Sequence, residues 1–212
     1  MVDSMRLTEA INEIDPPAPG DTAHRAELAM RREALRAELT RLLPARAQLV
    51  WEVGCGHGHF LTAYAAAHPG ARCVGVDQEL DRIRRAVRKQ ERARLANLHF
   101  VRAEARLFLE ALPADAAFTA IFVLFPDPWP KRRHHKHRLL QENFLREVAA
   151  RAPAGTPFYF RTDHEPYFHK VEAGLRAHAD WRLAPAEPWP FERETVFQQR
   201  APGHFSLVAR RR

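Results

Sequence analysis

A chain of 212 residues suits one α/β domain and is long enough to bury a core of its own. Its 33 Lys and Arg against 26 Asp and Glu leave a formal charge of +7, which favours a polyanionic partner over an acidic small molecule. Cys55 and Cys73 are the whole cysteine complement and form no C-x-x-C pair, so neither a disulfide framework nor a zinc site is expected. The N-terminus has no apolar leader, and no stretch approaches the roughly 18 apolar residues of a membrane span; the expectation is a soluble, cytoplasmic protein that meets no membrane.

Taken in chain order, residues 1–21 end in "DPPAPGD", a poor helix former that reads as a flexible lead-in to a single domain over 22–212. From Thr22 to Leu43 the pattern predicts a basic amphipathic helix stopped by Pro44. Leu28, Leu35, Leu39 and Leu42 share one face, while Arg25, Arg31, Arg32, Arg36 and Arg41 lie largely on others, either solvated or turned to RNA. Short apolar runs then alternate with helical patterns. "QLVWEV" (48–53), "ARCVGV" (71–76), "LHFVRA" (98–103), "FTAIFVLF" (118–125) and "TPFYFRT" (156–162) predict buried strands. Between them "HFLTAYAAAH", "ELDRIRRAVRKQERARL", "EARLFLEAL" and "RLLQENFLREVAARA" predict helices. Strict alternation of this kind predicts a doubly wound, mostly parallel sheet. After a helix near 165–178, "WRLAPAE" and "GHFSLVARR" predict an antiparallel finish.

The first strand runs into "EVGCGHGHF", where Gly54, Gly56 and Gly58 permit positive φ and close approach of the backbone to a ligand. A dinucleotide fingerprint from Gly54 would need glycine at position 59, which is His59, so the spacing argues against NAD. Acids follow the strand ends in series: Glu52, Asp77, Glu104 and Asp127. In a parallel sheet these ends line one edge, where ligands bind. Carboxylates converging there would repel a phosphate but suit a ribose diol, an ammonium and a sulfonium, the groups of S-adenosylmethionine. Asp77 would face the ribose hydroxyls and Glu104 the adenine amino edge.

After the fourth strand comes "FPDPWPKRRHHKHR" (125–138). Two prolines fix the acid Asp127, and Lys131, Arg132, Arg133, Lys136 and Arg138 follow it. Such a run is either a solvated loop or a phosphate-binding segment. Trp129 would either stack on a base or plug the core below the loop, and Asp163 in "RTDHEPYF" would face the cleft or cap the next helix. His134, His135 and His137 read as loop or phosphate contacts, for want of a second ligand cluster to make a metal site.

With these residues in view, "EVGCGHGHFL", "GVDQ", "FPDPWPKRRHHKHRLLQENFL" and "RTDHEPY" resemble, in order and spacing, the bacterial tRNA (guanine-N7)-methyltransferase family over about residues 48–175. The resemblance implies an S-adenosylmethionine-dependent methyltransferase fold acting on a guanosine in the tRNA variable region. It implies cofactor contacts at Glu52, Asp77, Glu104 and Asp127 beside the loop of Gly54, Gly56 and Gly58, with Asp127 also catalytic. It implies substrate contacts at Lys131 and Asp163 and RNA contacts at Arg132, Arg133, Lys136 and Arg138. Thr195, Val196, Phe197 and Gln198 align with a Thr-x-aromatic-Glu substrate motif, from which neutral Gln198 departs. Glu104 replaces the commoner Asp. A monomer or homodimer with no obligatory protein partner is expected. The rival readings are a methyltransferase with another acceptor and a non-catalytic binder of S-adenosylmethionine or RNA.

Overall fold

The computed structural model of the chain describes residues 19–192 and 203–212. In chain order these form α1 (Pro19–Leu42), β1 (Gln48–Val53), α2 (His59–Ala67), β2 (Arg72–Asp77), α3 (Leu80–Ala93), β3 (Leu98–Arg102), α4 (Ala105–Ala111) and β4 (Ala117–Leu124). A 3₁₀ helix over Arg132–His137 leads to α5 (Glu142–Ala149), β5 (Pro157–Thr162), α6 (Glu165–Ala177), β6 (Trp181–Leu183) and β7 (Phe205–Arg211). The strands form one sheet in the order β3-β2-β1-β4-β5-β7-β6. β1 to β5 are mutually parallel, and β7 runs antiparallel to both β5 and β6. The strand–helix alternation and the antiparallel finish are both as the sequence predicts.

Both faces of the sheet are covered, which is why its central strands read as continuous apolar runs. Along β1, successive side chains alternate between the two layers. Leu49, Trp51 and Val53 face the core under α1, α4, α5 and α6, and Val50 faces the core under α2 and α3. Trp51 stacks on Phe108 at 5.2 Å and on Phe118 at 4.9 Å between ring centroids. On the other face Phe122 stacks on Tyr159 at 4.7 Å. Fully buried rings of roughly 150–250 Å² each contribute about 4–6 kcal/mol of transfer free energy before entropy is counted. Of the described residues, Cys55 and Cys73 are both buried free thiols, and burial pushes the Cys73 thiol up to about 12.

Two element boundaries differ from the sequence reading for local reasons. Helix α1 already includes Pro19, inside the predicted lead-in; the preceding residues lie outside those described. Its apolar face also starts later than predicted. Leu35 and Leu39 are buried, but Leu28 is exposed, because the first half of the helix has no described layer packed on it. The cationic segment after Asp127, read as a loop, is the short 3₁₀ helix, closed by His134 N–H donating to Lys131 O at 2.8 Å.

Candidate active site

The parallel strands bring their C-terminal ends to one edge of the sheet, where a cleft of about 660 Å³ opens. Glu52, Asp77, Glu104, Asp127 and Asp163 all line it, one from the end of each of β1 to β5. The convergence expected of these acids is therefore present in the fold.

The glycine loop takes the left-handed conformation at Gly54 (φ 70°), Gly56 (φ 54°) and Gly58 (φ 69°). The N–H groups of Gly54 and Cys55 both donate to Val76 O, at 2.8 and 3.0 Å, which folds the loop back over β2. Asp77 completes this cradle. Its Oδ2 accepts from Gly56 N–H at 3.0 Å and its Oδ1 from Glu79 N–H at 2.9 Å, with Arg82 Nη1 3.6 Å away. A carboxylate oxygen has room for a second donor, so Asp77 both holds the loop and keeps acceptor capacity for a diol. Gly56 has open space where a Cβ would stand, as close approach of a ligand requires. Gly58 serves packing instead: a Cβ there would sit 2.5 Å from Phe100 Cζ and 2.8 Å from Ala86 Cβ.

Glu52 is the most constrained acid, 4% exposed, with Oε2 buried and unpartnered among the described residues. Burial pushes its carboxyl well above the usual carboxylate range, a backbone hydrogen bond from Leu61 opposes this, and repulsion from Asp77 adds to it. An orphaned acceptor of this kind, in the wall of a cleft, calls for a cationic or N–H donor from a ligand. Glu104 occupies the N-cap position of α4 but makes no side-chain cap bond, so its carboxylate remains turned to the cleft. Asp163 is not the cap of α6 either. His164 takes that role, its Nδ1 accepting from Tyr167 N–H at 3.1 Å, which leaves Asp163 exposed in the cleft.

The Pro126-Asp127-Pro128 frame is held at both ends. Phe125 N–H donates to Arg161 O at 2.8 Å, and Pro128 O accepts from Arg138 Nε at 2.6 Å. The residues flanking the frame, Phe125 (φ 51°) and Trp129 (φ 44°), adopt the left-handed region that aromatic side chains disfavour. Such strain persists only where surrounding contacts over-determine it, and it clusters at functional sites. Trp129 does not plug the core: it is 36% exposed, lines the cleft and packs against His134 and His137 at centroid distances of 5.7 and 5.1 Å.

Lys131, Arg132, Arg133 and Lys136 are exposed beside Asp127, as a phosphate-contacting segment requires. Arg138 is not. The expectation of an RNA contact there is corrected by its 4% exposure. Its guanidinium lies 4.8 Å from the Tyr167 ring centroid while its Nε holds Pro128 O. Tyr167, fully buried, has its hydroxyl pushed up to about 12 by burial, and that oxygen accepts from Leu140 N–H at 3.3 Å. Arg138 and Tyr167 thus tie the two ends of the cationic segment to α6. Nothing in a run of five cations distinguishes the one that turns inward. Thr195, Val196, Phe197 and Gln198 lie outside the described residues. Sequence reading also passed over cleft-lining His57, Gln78 and Arg82, whose signal was their position within the glycine loop and just after the β2 acid.

A mostly parallel sheet in this strand order, with an acid-lined cleft over a glycine loop, is the class I methyltransferase fold. Among solved structures it is similar to the 16S rRNA methyltransferase KamB, with a TM-score of 0.58 and 18% identity over 82% of this chain and 93% of that one, a likeness of fold alone. A profile described as putative methyltransferase matches residues 46–200. The tRNA (guanine-N(7)-)-methyltransferase of Rubrobacter xylanophilus is 33% identical over 83% of this chain and 82% of its own length. That of Syntrophotalea carbinolica is 35% identical over 69% of this chain, and the match spans 64% of that relative, less than two thirds of its length. The chain belongs to this family, the one that holds the tRNA (guanine-N(7)-)-methyltransferases.

Proposed function

We propose that the protein transfers the methyl group of S-adenosylmethionine to N7 of a guanine in tRNA, at position 46 of the variable region, in the cytoplasm. One observation carries the reading: Asp127, on a frame anchored at both ends and flanked by the strained Phe125 and Trp129, lies in the same cleft as Glu52, Asp77 and Glu104 and next to the exposed cations from Lys131 to Lys136. The cofactor, when bound, supplies an electrophilic methyl on a sulfonium. The chain's groups fit it: the orphaned Glu52 Oε2 suits the ammonium, Asp77 the ribose hydroxyls, Glu104 the adenine amino group and the glycine loop a close backbone approach.

Guanine N7 carries an in-plane lone pair and no proton, so attack needs no general base. The larger task is positioning, because near-attack alignment supplies most of what such a site contributes. Positive charge moves from the sulfonium to the imidazole ring during transfer. The Asp127 carboxylate, fixed in advance by its prolines and by Arg138, can accept from the guanine N–H edge and stabilise that charge without reorganising. Lys131, Arg132, Arg133 and Lys136 hold flanking phosphates, which sets register and carries no sequence information. Asp163, Thr195, Phe197 and Gln198 complete the substrate side of this proposal.

The acceptor class is tested by incubating the protein with methyl-labelled S-adenosylmethionine and, separately, unmodified tRNA, protein and small amines. Label appearing in ribonuclease-sensitive material alone supports the reading, and label in protein or amine would replace it with the rival acceptor. Arg138→Met keeps the bulk but removes the bond to Pro128 O. Turnover should fall about ten- to a hundredfold with cofactor affinity little changed, measured by steady-state kinetics and equilibrium binding; wild-type turnover would show that the anchor does not position Asp127.

Glu52 gives a pH prediction. A carboxyl whose folded pKa lies above its unfolded value of 4.5 binds its proton more tightly when folded, so stability is lost as pH rises from that value through the folded pKa. Glu52→Gln removes this loss. The ligand-free variant should therefore melt higher than wild type at neutral pH, with no gain at pH below the unfolded value, while its affinity for S-adenosylmethionine falls. Equal melting temperatures at neutral pH would contradict the assignment of a strained acid.

A further inference from the structure

Helix α3 carries Arg82, Arg85, Lys89 and Arg92 at spacings of three, four and three residues, which puts them on one side of the helix over roughly 15 Å. This stripe begins at the cleft, which Arg82 lines together with His57 and His59. Lys89 joins the two elements: its Nζ donates to His57 O at 3.0 Å and lies 3.4 Å from His59 Nε2. Among the described residues, ion pairing with an acid reaches only the first member of the stripe. Asp77 faces Arg82 at 3.6 Å, while Asp81 pairs with Arg84, off the stripe, at 3.5 Å. Arg85 and Arg92 are exposed and make no hydrogen bond or ion pair with a described residue. The crowding registers on the neighbours. Burial first, then Arg85, Lys89 and Arg82, lowers the His57 ring below its ordinary value, and burial followed by Arg92 and Arg85 lowers the Lys89 ammonium.

Topology sets this stripe apart from the cations after Asp127. β2 and β4 flank β1 on opposite sides, so α3 leaves the cleft on the β2 side and the 3₁₀ segment on the β4 side. We infer that the α3 stripe is a second phosphate-binding surface, which takes the sugar–phosphate backbone of the same RNA whose guanine enters the cleft. The inference rests on the RNA reading above and deepens it: the substrate straddles the cleft, gripped by cations on both rims. Uncompensated cations fixed along a helix neutralise phosphates and release counterions, and their contribution appears in the salt dependence of binding.

The test is the double variant Arg85→Ala, Arg92→Ala, which leaves Arg82 and Lys89 in place and touches no group lining the cleft. Binding of unmodified tRNA is measured against salt concentration for wild type and variant, alongside methyl transfer by the wild type and cofactor affinity of both. The variant should bind about tenfold more weakly near 0.1 M salt and lose about one to two units of the log K against log salt slope, with cofactor affinity unchanged. The double Arg→Lys variant should keep wild-type affinity, since phosphate neutralisation needs charge and not guanidinium shape. If the wild type binds and methylates tRNA and the alanine variant matches its affinity and slope, the stripe is only a solvated face. A wild type that neither binds nor methylates tRNA removes the RNA reading itself.

Discussion

Asp127→Ala lowers the rate of methyl transfer at least about a hundredfold, close to 2.7 kcal/mol of lost transition-state stabilisation, while the protein retains most of its affinity for the cofactor. The split is expected because Glu52, Asp77 and Glu104 stay in the cleft wall, whereas no other carboxylate stands on the Pro-Asp-Pro frame. The frame is costly to form. Phe125 and Trp129 hold left-handed backbone on either side of it, and the contacts from Arg161 O and Arg138 Nε keep it there. A carboxylate that had to swing into place as charge developed would contribute less than one already fixed. Single-turnover kinetics at saturating cofactor separates the chemical step from binding. Asp127→Asn should retain the frame's shape and still lose most of the rate, because the charge is what the transferring methyl requires. Wild-type rates in either variant would remove Asp127 from catalysis.

Gly58→Ala is the second large effect, this time on stability. At φ 69° an alanine costs about 1–2 kcal/mol, and its Cβ would fall 2.5 Å from Phe100 Cζ and 2.8 Å from Ala86 Cβ. Overpacking of this kind adds about 1–3 kcal/mol, since Phe100 and Ala86 belong to the buried layer between α3 and the sheet. Together these predict a loss of roughly 2–5 kcal/mol, seen as a lower urea midpoint with an unchanged slope. Gly56→Ala is the internal control: its φ is equally left-handed, but a Cβ there meets nothing within 4 Å. It should cost only the backbone term while weakening cofactor binding. Equal losses in the two variants would show that the Phe100 contact does not matter.

The sheet and the acid edge were legible because they follow from periodicity and connection rules. Alternating apolar runs and helices force parallel crossovers, and right-handed crossovers bring Glu52, Asp77, Glu104 and Asp127 to one edge whatever the packing details. Individual roles within the charged segments were less visible. Arg138 has the same sequence signature as Arg132 or Arg133, and only the position of Tyr167 on α6, across the chain, decides that it turns inward. The α3 stripe was present in "DRIRRAVRKQER", but the sequence yields only a helix there, because the meaning of the stripe depends on His57 and His59 lying beside it. Asp163 was open between cap and cleft until His164 proved to be the cap. Leu28 illustrates the opposite error, since an apolar position on a helix is buried only where another element covers it.

The central claim, methyl transfer to guanine N7 in this cleft, is tested most directly by identifying the product. After reaction of unmodified tRNA with methyl-labelled S-adenosylmethionine, the RNA is digested and the labelled nucleoside is assigned by mass and fragmentation. The account predicts label in 7-methylguanosine alone, from the variable region, and none with Asp127→Ala. Label in any other nucleoside, or undiminished label with Asp127→Ala, would contradict it.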